Sequence, residues 1–279
     1  MDDIELHVFG PGYGEGLLLH LGHGDWIVVD SCVDTAGQPS ALKWLRHIGV
    51  DPATAVKLVV ATHWHDDHVR GLAEVFRACA SAQFVCSGAM LSEELLTLAY
   101  DAEKASMKNS SGVDELRKIT DELVRRQQAT GARSLGSGHV FASSNCRLFQ
   151  RQGSIPCEIW SLSPSSAELQ ATMSLFAEEF SRQGAEWHAR RRIIARTPNT
   201  TSVVLWISVG QRRILLGADL EVGSVKGGTA MVDAGWSAIV SSSARPQERS
   251  SAFKIPHHGS PSAHHDGVWD RMLGTCQRV

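Results

Sequence analysis

Residues 57–68 read Lys-Leu-Val-Val-Ala-Thr-His-Trp-His-Asp-Asp-His. The apolar run from Lys57 to Ala61 is short, as a buried strand would be, and a helical pattern resumes from Val69 to Ala80. A strand that ends in a loop here places His63, His65, Asp67 and His68 within a few residues of one another, where they can converge on one or two cations. Imidazole is the commonest side-chain metal ligand. Two imidazoles with further ligands make a tetrahedral, zinc-like site. A carboxylate and a third imidazole beside them can hold a second ion. Metals about 3.5–4 Å apart share a hydroxide and clamp both the attacking and the leaving oxygen.

Outward from this segment the pattern is strand-rich, then mixed. Strands are predicted at 4–9, 17–21 and 26–30, with a hairpin signal at His23-Gly24-Asp25 and a glycine-rich loop from Gly10 to Gly16. Residues 39–49 have helical spacing and stop at Gly49. Downstream come a strand at 83–86 and two helical pieces within 92–131, whose charges describe mostly a solvated face. Strands follow near 139–149 and 158–162, then a helix over 165–182. A strand pair at 202–209 and 213–217 turns at Gly210-Gln211, and a last short strand spans 253–256. No repeat or linker interrupts the chain, so one domain over 1–279 is expected, with a helical insertion at about 88–135.

The 279 residues, 43% hydrophobic and 20% charged, describe an ordinary globular protein. A net charge of −3 exerts no overall pull on nucleic acid or an anionic membrane, so polyanion binding would need a local patch. No apolar run is long enough to span a bilayer. The N-terminus is acidic where a secretory signal would be basic, and a cytoplasmic location is expected. Six scattered cysteines without a CxxC pair read as buried free thiols.

The HxHxDH pattern between an apolar strand and a helix resembles the signature of the metallo-β-lactamase fold. Val28-Val29-Asp30-Ser31 looks like that family's early strand, ending in a buried Asp that supports the metal loop. Leu215-Leu216-Gly217-Ala218-Asp219 looks like the strand whose terminal Asp bridges two metals. Ile255-Pro256-His257-His258-Gly259-Ser260, with Asn199-Thr200-Thr201-Ser202, resembles the competence-protein (ComEC-like) nuclease and phosphodiesterase branch. The resemblance implies a four-layered αββα sandwich of mixed α/β class, with two divalent metals, zinc first and manganese or iron as alternatives.

By the same resemblance the metal ligands are His63, His65, Asp67, His68, Asp219 and His258, and Asp66 is not one. His139 either supplies a further first-site histidine or is a turn residue at a strand start. Asp67 and His257 are the expected catalytic residues, with Asn199, Ser202, Arg192 and Arg196 toward the substrate. The run Arg190-Arg191-Arg192 with Arg196 reads as a solvated helix face or as a phosphate-tracking patch.

Hydrolysis of a phosphodiester in nucleic acid or a nucleotide is the expected function. Hydrolysis of an ester, lactone or amide is the alternative on the same fold. A third reading is a partner-dependent component of a bacterial defence system, which proteins with a similar opening and THWHDDH segment resemble. The fold as usually seen continues further past the His-His-Gly-Ser motif. Abbreviated C-terminal strands would leave an edge open, so self-association or a protein partner at the C-terminal side is expected.

Overall fold

The computed structural model describes residues 3–10, 14–91, 111–130, 138–181, 199–227 and 230–274. The chain divides into two compact units, one of residues 1–86 and 90–141, the other of 87–89 and 142–279.

The first unit is built on a six-stranded sheet in sequence order, from β1 (Ile4–Phe9), β2 (Gly16–Leu21) and β3 (Trp26–Asp30) to β4 (Val56–Val60), β5 (Gln83–Ser87) and β6 (His139–Ala142). The first three strands pair antiparallel, whereas β3, β4 and β5 run parallel. The connections explain the change: a tight turn at Gly22–Asp25 allows only a hairpin, and helices carry the chain back between the parallel strands. Parallel strands are covered on both faces, so β3 and most of β4 are continuous apolar runs rather than alternating ones.

Helix α1 (Ser40–His47) buries Ala41, Leu42 and Leu45, one stripe at helical spacing. A short helix α2 (Pro52–Ala55), begun by the Asp51 side chain on Ala53 N–H, leads into β4. The metal-binding candidate segment was expected as a loop. Its second half is instead a one-turn helix, α3 (Asp66–Val69), followed by α4 (Leu72–Ala78).

Of the expected insertion, helix α5 (Ser111–Thr130) is described, while the first helical piece at 92–110 lies outside the described residues. The charges of α5 are not only a solvated face. Glu115 and Glu122 are buried, and with Arg126 they brace α4 at both ends. The Glu115 carboxylate accepts the Ala73 N–H in the first turn of α4, 3.0 Å away, where Gly71 supplies no side-chain cap. At the other end the Arg126 guanidinium donates to the carbonyls of Phe76, Cys79 and Ala82, and lies 3.8 Å above the Phe76 ring. An anion at the N-terminus and a cation at the C-terminus both complement the helix dipole.

The second unit holds a five-stranded sheet ordered β13-β10-β9-β8-β7, from β7 (Cys146–Arg151), β8 (Cys157–Ser161), β9 (Leu205–Val209), β10 (Arg212–Leu216) and β13 (Ala252–Lys254). All pairs are antiparallel except β10 with β13. The single strand expected over 139–149 is two, separated by a turn in which Asn145 takes a left-handed conformation. Helix α6 (Ser166–Ser181) begins with a capping box, in which Ser165 and Glu168 satisfy each other's backbone N–H.

A hairpin of β11 (Val222–Gly227) and β12 (Ala230–Ala234), helix α7 (Gly235–Ser241) and helix α8 (Asp266–Arg271) were not expected. The other oxygen of Glu168 accepts Gly235 N–H at the start of α7. The core of this unit gathers Trp206, Leu215, Leu220, Trp236, Ile239 and Met272. Among the described residues no helix is long and apolar enough to cross a membrane.

Candidate metal centre

The first unit brings the early aspartate and the histidine segment together. Asp30 closes β3 with a left-handed backbone, φ 58°, and its side chain is buried. One carboxylate oxygen accepts Thr62 N–H at 2.8 Å. The other accepts the Thr62 hydroxyl at 2.6 Å and His68 Nδ1–H at 2.8 Å. With its proton committed to Asp30, the Thr62 hydroxyl accepts from His63 Nδ1–H, 3.0 Å away. One buried carboxylate therefore sets the tautomer of two imidazoles, and in both the lone pair lies on Nε2.

His63 Nε2 faces His65 Nδ1 at 3.1 Å, and the His63 and His68 ring centres are 4.3 Å apart. Two nitrogens bound to one cation at about 2.0–2.1 Å in tetrahedral geometry stand roughly 3.3 Å apart. The donor set thus fits a divalent metal, with nitrogen donors suited to zinc. Asp30, His63 and His68 also bring donor atoms within 4.8 Å of one another. Because the Asp30 oxygens already hold Thr62 and His68, Asp30 acts as the orienting group behind the ligands.

The backbone is fixed as firmly. Ser31 N–H donates to the His68 carbonyl at 2.7 Å and Glu15 N–H to the Asp67 carbonyl at 2.6 Å. A Cβ on Gly14, whose φ is 101°, would stand 2.9 Å from Cys32 Cβ and 3.1 Å from the Asp67 carbonyl oxygen. The glycine is there because the loop presses against the metal segment. Asp66 accepts Gly112 N–H at 2.5 Å, which joins the segment to the first turn of α5. Asp67 is half-buried, one of its oxygens 3.8 Å from His68 Nε2. His139 opens β6 with its ring edge-on to Phe141 at 4.3 Å, and it joins no three-residue donor group among the described residues.

In the second unit, Asp219 follows β10 through Gly217 and the left-handed Ala218, φ 46°. A Cβ on Gly217 would stand 2.9 Å from the Lys254 carbonyl oxygen, so the chain passes closely under β13. The next turn, His257–Gly259, is left-handed at three consecutive residues, with φ of 48°, 50° and 82°. Non-glycine residues pay for such angles, and strain of this kind gathers at functional sites. The turn hangs on His257 N–H, which donates to the Ala218 carbonyl.

His258 Nε2 then lies 3.7 Å from Asp219 Oδ2. His257 Nδ1 is 3.0 Å from Glu221 Oε1 and 3.3 Å from Ser262 Oγ, while its Nε2 faces the Asn199 side-chain amide at 3.3 Å. Ser202, expected at the substrate, is fully buried, and its carbonyl accepts the Ser163 hydroxyl. Arg192 and Arg196 lie outside the described residues.

Thr62 and Glu221 were missed by the sequence reading. Both are common residue types whose partners here are 32 and 36 positions away in the chain. No local pattern signals such a contact.

Residues 10–147 match the family model described as the metallo-β-lactamase superfamily. Members of that superfamily are metal-dependent hydrolases. No curated protein matches the chain.

Solved structures similar to it are distant. A B3 metallo-β-lactamase with an active-site glutamic acid is 16% identical, with 77% of this chain and 60% of that one covered and a TM-score of 0.37. BJP-1, a subclass B3 metallo-β-lactamase of Bradyrhizobium japonicum, is 14% identical, with 76% and 59% covered and a TM-score of 0.38. The metallo-β-lactamase fold protein YhfI from Bacillus subtilis is 12% identical, with 76% and 57% covered and a TM-score of 0.35. The chain therefore spans less than two thirds of the length of each of these three structures.

Proposed function

We propose that the chain is a metal-dependent phosphodiesterase acting on nucleic acid or a nucleotide, with two divalent ions, zinc first. The observation that carries this reading is His257. Its Nδ1 is held by Glu221 at 3.0 Å, its Nε2 faces Asn199 at 3.3 Å, and the ring is only partly covered. A carboxylate behind an accessible imidazole is the arrangement of a general acid. The alkoxide that a phosphodiester expels would take its proton from this imidazole.

Bound divalent ions would supply a nucleophile at neutral pH and neutralise charge on the phosphoryl oxygens. His63, His65, Asp67 and His68 would hold metal, as would Asp219 and His258, while Asp30 and Thr62 fix the rings. His257 would protonate the leaving oxygen, its ring held from behind by Glu221 on Nδ1.

The test combines elemental analysis with a substrate panel of single-stranded DNA, duplex DNA, RNA, cyclic dinucleotides and bis-nitrophenyl phosphate, set beside lactones and β-lactams. Phosphodiester cleavage is expected, and it should disappear in the Asp67→Ala, His68→Ala double variant. Turnover of lactones or β-lactams with none of bis-nitrophenyl phosphate would sink the reading and favour the ester, lactone or amide alternative.

A further inference from the structure

Beside the His257 turn, the second unit carries an open recess whose wall includes Trp236, Phe253, Ile255, Ser260, His264 and Trp269. The aromatic rings are ordered. Phe253 meets Trp236 edge-on at 6.1 Å and 88°, and Trp269 edge-on at 5.7 Å and 82°. His264 lies over Trp269 at 6.2 Å, 29° from parallel.

Core packing accounts for buried Trp236, and for the inner sides of Phe253 and Trp269. It does not account for Ile255, which leaves 44% of its surface exposed on the same wall. Nor does it account for an exposed histidine ring near-parallel to an indole, with its Nε2 on the exposed Asp266 carboxylate. The recess is also wired to the proposed acid. Ser260 Oγ is 3.0 Å from Ser262 Oγ, which is 3.3 Å from His257 Nδ1.

We propose that this recess seats a single nucleobase of the substrate, stacked on Trp269 with His264 on its outer side. This assignment rests on the phosphodiester reading and names the part of the substrate that reading leaves open. Aromatic faces hold any base through its π surface, without demanding a sequence. A base there would bring its own phosphate toward His257, two hydrogen bonds away from the recess wall. The enzyme would then recognise a base next to the bond it cuts.

The test uses the full-length, metal-loaded protein with AMP and ribose 5-phosphate, neither of which contains a diester. Binding is followed by calorimetry and by tryptophan emission. AMP is expected to bind about tenfold or more tightly than ribose 5-phosphate, the scale of one stacked base, and to quench emission. Trp269→Ala should bring the two probes together, and His264→Ala should narrow the gap. Should Trp269→Ala fail to fold, Ser260→Trp, which fills the recess from its rim, is expected to remove the preference in its place.

Equal affinity of the wild-type protein for both probes would overturn the proposal, as would an undiminished preference in the folded variants. Base-selective binding without any phosphodiester cleavage would leave the recess standing and remove the hydrolase reading. Cleavage with the same KM for a normal and an abasic dinucleotide would do the reverse.

Discussion

Asp30 accepts three hydrogen bonds, from Thr62 N–H, Thr62 Oγ1 and His68 Nδ1, so the orientation of two candidate ligands depends on one carboxylate. Replacing it by Asn keeps the shape but puts an amide N–H₂ where an acceptor is needed. Asp30→Asn is therefore expected to weaken metal binding by about 10–100-fold, as loss of an orienting partner typically does. Competition against a chelator of known affinity measures this, and an unchanged affinity would show that Asp30 is not the orienting group. At this scale the clustering of His63, His65 and His68 was legible in the sequence, because they are two and three residues apart. The groups behind them were not: Thr62 and Glu221 act through contacts that only the fold makes. The burial of Ser202 was not legible either, since a serine ahead of an apolar strand looks the same whether its side chain faces solvent or the interior.

Helix α5 shows how an insertion can serve a site without touching a ligand. It accepts from one end of α4 through Glu115, donates to the other through Arg126, and receives the Asp66 carboxylate on its own first turn. A Cβ on Gly112 would collide with the Trp64 carbonyl, so the contact is as close as a glycine permits. Arg126→Ala removes a helix cap and a cation–π contact together and should cost about 2–3 kcal/mol in urea unfolding. A loss below about 0.5 kcal/mol, the range of ordinary surface substitutions, would mean the guanidinium is decorative.

The same brace predicts an acid limb. Hydrogen bonds from Arg125, then from Arg126, hold the Glu122 carboxyl below its usual range. A depressed folded pKa contributes stability that is complete above the unfolded value of about 4.3 and is lost as pH falls through the folded one. Unfolding free energy should thus fall below about pH 4, and Glu122→Gln should flatten that limb; an unaltered slope would exclude Glu122 as its source. Long or strongly patterned elements, such as β2 to β4 and α1, were legible from periodicity. The β11–β12 hairpin and the seven-residue α7 were not, because four glycines fall within 222–235 and Ala234 supplies no side-chain cap.

For the whole molecule, the cysteines give a way to watch the metal act on folding. Cys32, Cys79, Cys86 and Cys157 are buried free thiols, as their scatter in the sequence suggested, and Cys146 is half-buried. Burial pushes the Cys79 thiol up to about 12 and raises Cys32 and Cys86 as well, so these sulfurs stay protonated and inert in the native state at neutral pH. Alkylation of Cys79 therefore reports opening of the unit that also holds His63, His65 and His68. A ligand that binds only the folded form adds RT ln(1 + [L]/Kd), about 2.7 kcal/mol at a hundred times Kd. Free zinc at that level should raise the urea concentration at which Cys79 becomes reactive by the equivalent of about 2.7 kcal/mol, less whatever zinc binds to the unfolded chain. The gain should be largely absent in the His63→Ala, His65→Ala variant, where the paired nitrogens are gone. A zinc-independent midpoint in the wild-type protein would mean that the three histidines, however well oriented, do not bind the ion in the folded unit.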